Sequence, residues 1–276
     1  MSHILELLSL APVQRGFFAF LVAGMTFPIV GVFIVVLDLV TLRFTLMHGA
    51  LLGGVLGILF GVDGLLVSLV ITVAIAALLG PASSRLRIDV SNSSALFMIA
   101  TVALAFLIID KAHIAALDAF SVFWGSIYAL SPADVAIVCA TAIGIVAFVC
   151  ANRPRITAVL FDRDIAFSVG VKSAAFTNSI IIITGVVIAV SMKLIGALLV
   201  DCLLILPALG AVSLAKSMKQ LFLMSVGLGF VSSLIGFIVS LAVQIQPSQA
   251  VTFVSIALLA VMHGGEAIKN KRSAES

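Results

Sequence analysis

Two side chains able to do chemistry stand inside runs that are otherwise apolar. His48 lies in "TLRFTLMHGALLGGVLGILFG", residues 41–61, and Asp201 lies in "GALLVDCLLILPALGA", residues 196–211. An imidazole can hold a borderline metal such as zinc or carry a proton, and a carboxylate can do either as well. An ionised acid in the middle of a membrane-embedded helix costs at least about 2.5–3.5 kcal/mol unless it is paired or hydrated. Asp201 has no basic residue near it in sequence. It must therefore meet a partner, a water-filled path or a subunit interface, or carry a proton. His48 has two readings: a histidine bonded to a carbonyl near the interface, or a ligand or proton site on a pathway. Pro207, in the same run as Asp201, removes a backbone donor and predicts a kink or break there. A broken helix beside a buried acid is one way to line a cavity.

Other chemistry is absent from the motifs. Cys139, Cys150 and Cys202 sit in apolar runs without metal-finger spacing and read as core thiols. No GxxxxGK[ST] motif occurs, so the chain has no nucleotide-binding signature of its own. Active transport by this chain would draw on an ion gradient or on another polypeptide. No cleavable signal is evident in "MSHILELLSLAPVQR".

The elements that position these residues follow from composition. Of the 276 residues, 63% are hydrophobic and 10% charged, with mean hydropathy +1.34. Soluble domains carry about 25% charged residues. Too little polar surface exists to face water, so the bilayer is the solvent. The net charge of +3 is small and the basic residues form no single patch, which argues against nucleic acid as a partner.

Charges punctuate the chain at membrane-spanning intervals. Uncharged runs of 22, 19, 21, 20, 18 and 20 residues separate Arg15 from Asp38, Arg43 from Asp63, Asp63 from Arg85, Asp89 from Asp110, Asp134 from Arg153 and Lys172 from Lys193. Each approaches the roughly 20 residues a helix needs to cross the hydrocarbon core. A seventh run, 194–215, is interrupted only by Asp201, and "QIQPSQ" at 244–249 splits the run 220–265 into two. The expectation is an all-α integral membrane protein of about nine transmembrane helices, forming one polytopic domain over residues 1–276. Residues 1–12 could add an interfacial helix, and "EAIKNKRSAES" is expected to fray.

Starting outside, such a chain places Arg43, Arg85, Arg87, Arg153, Arg155, Arg163, Lys172, Lys216, Lys219, Lys269, Lys271 and Arg272 in the cytoplasm. Only Arg15, Lys111 and Lys193 lie outside. That distribution satisfies the positive-inside rule with the N-terminus outside and the C-terminus in the cytoplasm.

Two further patterns matter. Gly49, Gly53, Gly57 and Gly61 recur every four residues, so they line one helix face and admit a close neighbour. "ANRPRITAVLFDRDIAFSVGVKS" mixes charges with apolar residues on the cytoplasmic side. Within it "DRDIAFSVGV" reads as a short amphipathic helix that Asp162 can cap and Gly170 can end. It either lies on lipid or docks a cytoplasmic partner, with Phe161 and Phe167 as apolar knobs and Asp162, Arg163 and Asp164 at the rim.

These segments together resemble the permease subunits of the zinc, manganese and iron ABC importers. "GVFIVV" followed by "HGALLGGVLG" is similar to that family's GxFxVL segment and its histidine–glycine element. "FWGSIYALSPADV" resembles its external F-G-S element. "LFDRDIAFSVGV" resembles its coupling segment, "IGALLVDCLLILPALGA" its proline-bearing helix, and "QPSQAVTFV" its P-x-G-x-x-I-V element. The order and the sidedness of these pieces match the family across nearly the whole chain.

The resemblance implies a type II importer permease in the bacterial inner membrane, with no catalytic residue of its own. Two permease subunits would pair around a path, a homodimer being the simplest case. Two cytoplasmic ATPases would dock on the coupling segment, about 156–172, through Phe161, Asp162, Arg163, Asp164, Ala166 and Gly170. An extracytoplasmic metal-binding protein would deliver the cargo. In the family, an aspartate precedes the histidine by four residues; here that position is Phe44. Asp201 stands where the family has a small or apolar residue. The expectation is that the acid has moved helices, so that His48 and Asp201 jointly hold the transported divalent metal. Zinc is preferred over manganese or iron, since "HGALLG" is nearer the zinc branch and imidazole suits zinc better than manganese. The alternative from the residues alone is a gradient-driven carrier using Asp201 as its proton or sodium site.

Overall fold

A computed structural model describes residues 9–115, 130–168, 170, 171 and 173–274. The described elements are helical: α1 (Ala11–Val36), α2 (Val40–Phe60), α3 (Gly64–Leu86), α4 (Val90–Lys111), α5 (Pro132–Ala151), α6 (Arg153–Phe161), α7 (Arg163–Ser168), α8 (Ser173–Ile195), α9 (Ala197–Leu214), α10 (Met218–Val243) and α11 (Pro247–Ala274). Eight are long and apolar enough to cross a membrane, and α9 contributes a shorter apolar helix, Leu199–Leu214. These nine correspond one for one to the expected spans. Most of the external F-G-S element and the start of the proposed N-terminal interfacial helix lie outside the described residues. The charged tail, expected to fray, instead continues α11 to Ala274.

Three of the five punctuating acids, Asp63, Asp89 and Asp134, stand where helices begin. Asp63 accepts a hydrogen bond from the Leu65 amide at 2.7 Å, and Asp89 one from Asn92 at 2.7 Å. Ser131 and Asp134 form a reciprocal capping box at the start of α5. Each satisfies amides that the first helical turn leaves without partners, worth about 1 kcal/mol. Charge and helix start therefore coincide for a physical reason.

Neighbouring helices keep the orientation that alternating spans require. Odd-numbered expected spans should run parallel to one another and antiparallel to even ones. Thr45 donates to the Ser94 carbonyl at 2.6 Å and Ser91 to Thr41 at 3.0 Å, so α2 and α4 run parallel. Cys202 meets Thr252 and Ser213 meets His263, so α9 and α11 run parallel. Gly49 faces Thr72 and Ile75 while Gly57 faces Gly64, so α2 and α3 run antiparallel.

Gly49, Gly53 and Gly57 do form the packing face. A Cβ on Gly53 would run into the Ser68 backbone, and one on Gly57 into Gly64. Gly61 departs from the expectation. Its Cβ would meet nothing, and its φ of 64° makes it the C-cap of α2. The ladder's last rung is a left-handed stop, which a side chain with Cβ adopts at a cost. Of the kink or break expected at Pro207, the break does not occur: α9 continues through it, and the interruption falls at Gly196, φ 84°, the single residue between α8 and α9.

α2 is the central helix. In its most apolar window 72% of residues are buried, against 17% for α5 and 22% for α4. The outer helices turn leucine, isoleucine and phenylalanine outward: Ile99, Ile143 and Leu223 are exposed. With lipid as solvent, apolar residues suit both faces, so these helices carry no amphipathic stripe.

Candidate functional site: a polar cluster between α2 and α9

Asp201 has a partner, and it is Arg43. The Arg43 guanidinium Nη1 and Asp201 Oδ1 form an ion pair that joins α2 to α9. The two ends differ in access: the Arg43 side chain is 5% exposed and that of Asp201 35%. Arg43 had been counted among the cytoplasmic boundary charges. It lies instead inside α2, which starts at Val40, and it is buried. Its guanidinium also sits over the Phe44 ring, 4.2 Å from the centroid, a cation–π contact. Its Nε is buried without a hydrogen bond.

His48 belongs to the same neighbourhood. Its Nδ1 lies 2.7 Å from the Phe44 carbonyl one turn earlier. A carbonyl only accepts, so Nδ1 carries the proton and the neutral ring has its lone pair on Nε2. Metal-binding histidines are commonly oriented this way by a backbone carbonyl. The carbonyl-bonded and pathway readings of His48 are therefore compatible.

Each of the two helices presents an open strip. On α2, Val40 and Phe44 are exposed and His48 is half-buried, while Leu51, Leu52 and Val55 further along are buried. On α9, Asp201 and Ile205 are half-buried, and Leu209 and Val212 are exposed. Spacings of three and four residues put each set on one helix face. The Arg43–Asp201 pair joins the two helices. Behind Asp201, buried Cys202 meets the Thr252 hydroxyl at 2.7 Å and ties α9 to α11. No group of three or more His, Cys, Asp or Glu side chains comes together among the described residues.

The second candidate site is at the other expected location. Between α5 and α8 the chain forms two short helices where the sequence reading anticipated one. α6 begins with Pro154 in its first turn and buries Ile156, Val159 and Leu160. Asp162, with extended backbone, separates it from α7. α7 is closed by Gly170, φ 83°, with the Val171 amide bonding back to the Ala166 carbonyl at 3.0 Å. Ala166 is fully buried, whereas Phe161 and Phe167 are 75% and 73% exposed. The two rings stand out from a segment anchored by its aliphatic residues. Arg163 and Asp164 fall within α7.

Arg43 is the residue that sequence reasoning missed. In the sequence it bounds an uncharged run and counts among the cytoplasmic charges. The available signal was its position five residues before His48 in a chain holding one unexplained acid.

The architecture is that of an all-α polytopic permease of the type II ABC importer kind. The family model described as "ABC 3 transport family" matches residues 9–264, and the chain belongs to that family. The manganese import system permease protein ScaB of Streptococcus gordonii is 24% identical over 256 residues, covering 90% of this chain and 89% of that one. The high-affinity zinc uptake system membrane protein ZnuB of Haemophilus influenzae is 23% identical over 210 residues, covering 76% and 80%. Among solved structures, PsaBC from Streptococcus pneumoniae in complex with Fab superposes with a TM-score of 0.81 at 19% identity, covering 95% of this chain and 94% of that one. Family membership sets aside the gradient-driven carrier.

Proposed function

We propose that this chain is the membrane-spanning subunit of an ATP-driven divalent-metal importer, with zinc as its preferred cargo. The observation that carries the metal preference is the state of the two candidate ligands. Asp201 is engaged by Arg43, and His48 is held with its lone pair on Nε2. A donor set of one imidazole and one carboxylate already paired to a cation suits zinc over manganese. The relatives' names include both metals, so the preference rests on this donor set alone.

His48 and Asp201 line a path at the interface of two copies of this chain. Polar side chains such as His48 and Asp201 within membrane spans need a non-lipid neighbour, and a symmetric pair of copies would bring two such sets to one axis. The ion is held in passing, since a pathway site that binds tightly cannot release. The α6–α7 segment seats in a cytoplasmic ATPase, with Phe161 and Phe167 as knobs and Asp162, Arg163, Asp164, Ala166 and Gly170 shaping the contact. An extracytoplasmic protein delivers the metal. The chain lies in a bacterial inner membrane with its N-terminus outside, as the distribution of Lys and Arg supports.

The test is uptake in a strain lacking its own zinc and manganese importers, with this chain co-expressed with its cognate ATPase and metal-binding protein. Zinc accumulation that requires all three and exceeds manganese accumulation is expected. Manganese accumulation without zinc accumulation overturns the metal preference, and ATPase-independent uptake overturns the importer reading.

A further inference from the structure

We propose that Arg43 is a built-in counter-cation that competes with the cargo for the Asp201 carboxylate. The inference rests on the transport path proposed above and adds a residue that sets how tightly that path holds an ion. Three observations carry it. The ion pair is asymmetric: Arg43 is 5% exposed and Asp201 35%, so an ion arriving along the open strip reaches the carboxylate while the guanidinium holds it from the buried side. The guanidinium has a fallback position, because the Phe44 ring lies 4.2 Å from it and supports it without a second carboxylate. And His48, one turn along from Phe44, bonds that residue's carbonyl, so the helix that carries the guanidinium also carries an imidazole.

The electrostatics follow directly. Arg43 and Asp201 together are neutral, so an empty path carries no buried net charge at this point. A divalent ion that takes the carboxylate leaves the guanidinium uncompensated in low dielectric, which opposes the binding. The ion is therefore held weakly and is expelled when the guanidinium returns to Asp201. A path with an unopposed carboxylate would instead trap the metal. Arg43 thus acts through Asp201 as a positioning residue for release, in place of a dedicated rearrangement of the ligands.

A purely structural ion pair makes a different forecast, so the two can be told apart. The protein to use is the permease purified with its ATPase, and the probe is zinc alone, measured by equilibrium binding alongside ATP-driven uptake in vesicles. Arg43→Gln is expected to tighten zinc binding at least about ten-fold while slowing uptake, because the competitor is gone. Asp201→Asn is expected to lose the binding. The Arg43→Gln/Asp201→Asn double variant, neutral at both positions, should recover assembly but neither binding nor uptake, and it keeps the test decisive where a single variant fails to fold. Arg43→Lys retains the competing charge and should bind zinc as weakly as the natural protein. Unchanged or weaker binding in Arg43→Gln overturns the proposal, as does natural uptake in the double variant. Absence of saturable zinc binding in the unmutated complex would instead defeat the zinc-path reading itself.

Discussion

His48 donates its Nδ1–H to the carbonyl of Phe44 across 2.7 Å of one helical turn. This bond sets the tautomer of the imidazole and links it to the residue whose ring supports Arg43. Position 44 is therefore where the metal path proposed above is most directly tested.

Phe44→Asp places a carboxylate one turn before His48, on the same face. It should tighten zinc binding about ten-fold or more, because an oxygen ligand joins the imidazole. It should also recover part of the uptake lost in Asp201→Asn. His48→Ala should reduce uptake strongly while the complex with the ATPase still purifies intact. Natural transport by His48→Ala removes that residue from the path.

Phe161 and Phe167 are about three-quarters exposed on a segment that buries its aliphatic residues. Phe161→Ala and Gly170→Trp should separate ATP hydrolysis from uptake, or lose the ATPase on purification; Phe161→Ala should leave the permease's melting temperature unchanged, and Gly170→Trp should lower it only by the left-handed penalty of about 1–2 kcal/mol. A Cβ on Gly170 meets no neighbour within the chain; the strain of its positive φ is local. Full uptake in both variants would place the ATPase contact elsewhere.

Gly53 and Gly61 look alike in the sequence and should respond differently. Gly53→Leu forces a side chain into the Ser68 backbone and should cost about 1–3 kcal/mol or prevent folding. Gly61→Ala meets no neighbour and should cost only the left-handed penalty, about 1 kcal/mol. Thermal melting of the detergent-purified protein distinguishes the two.

Reporter fusions test the topology. Fusions after Arg87, Arg155 or Lys219 should report cytoplasm, and fusions near Ser131 or Ser248 the outside. Ser131 and Arg155 flank α5, so finding them on one side would remove that span.

The number and limits of the helices were legible in the chain because two physical constraints act locally. A backbone in lipid must satisfy its own hydrogen bonds, and the bilayer's thickness sets the length of each apolar run. Some of the acids that bound those runs are also caps that begin helices, as Asp63 and Asp89 show. Gly170 and its positive φ were readable for the same reason, since a helix stop is a property of a few consecutive residues.

What the chain could not disclose is which helices meet. In a protein apolar on every face, no amphipathic stripe marks the interior, so nothing local distinguishes central α2 from peripheral α5. Gly61 could not be separated from the rungs before it, because only the position of α3 decides whether a small residue is filled against or merely turned. The partner of Asp201 was hidden more deeply. Arg43 lies 158 positions away in sequence and sits where an interfacial cation would sit. Composition demanded that the acid be compensated, since a bare carboxylate in low dielectric is too costly. Only the packing of α9 beside the first turn of α2 decided that a guanidinium does so, because pairing across helices depends on three-dimensional proximity, which local sequence does not encode.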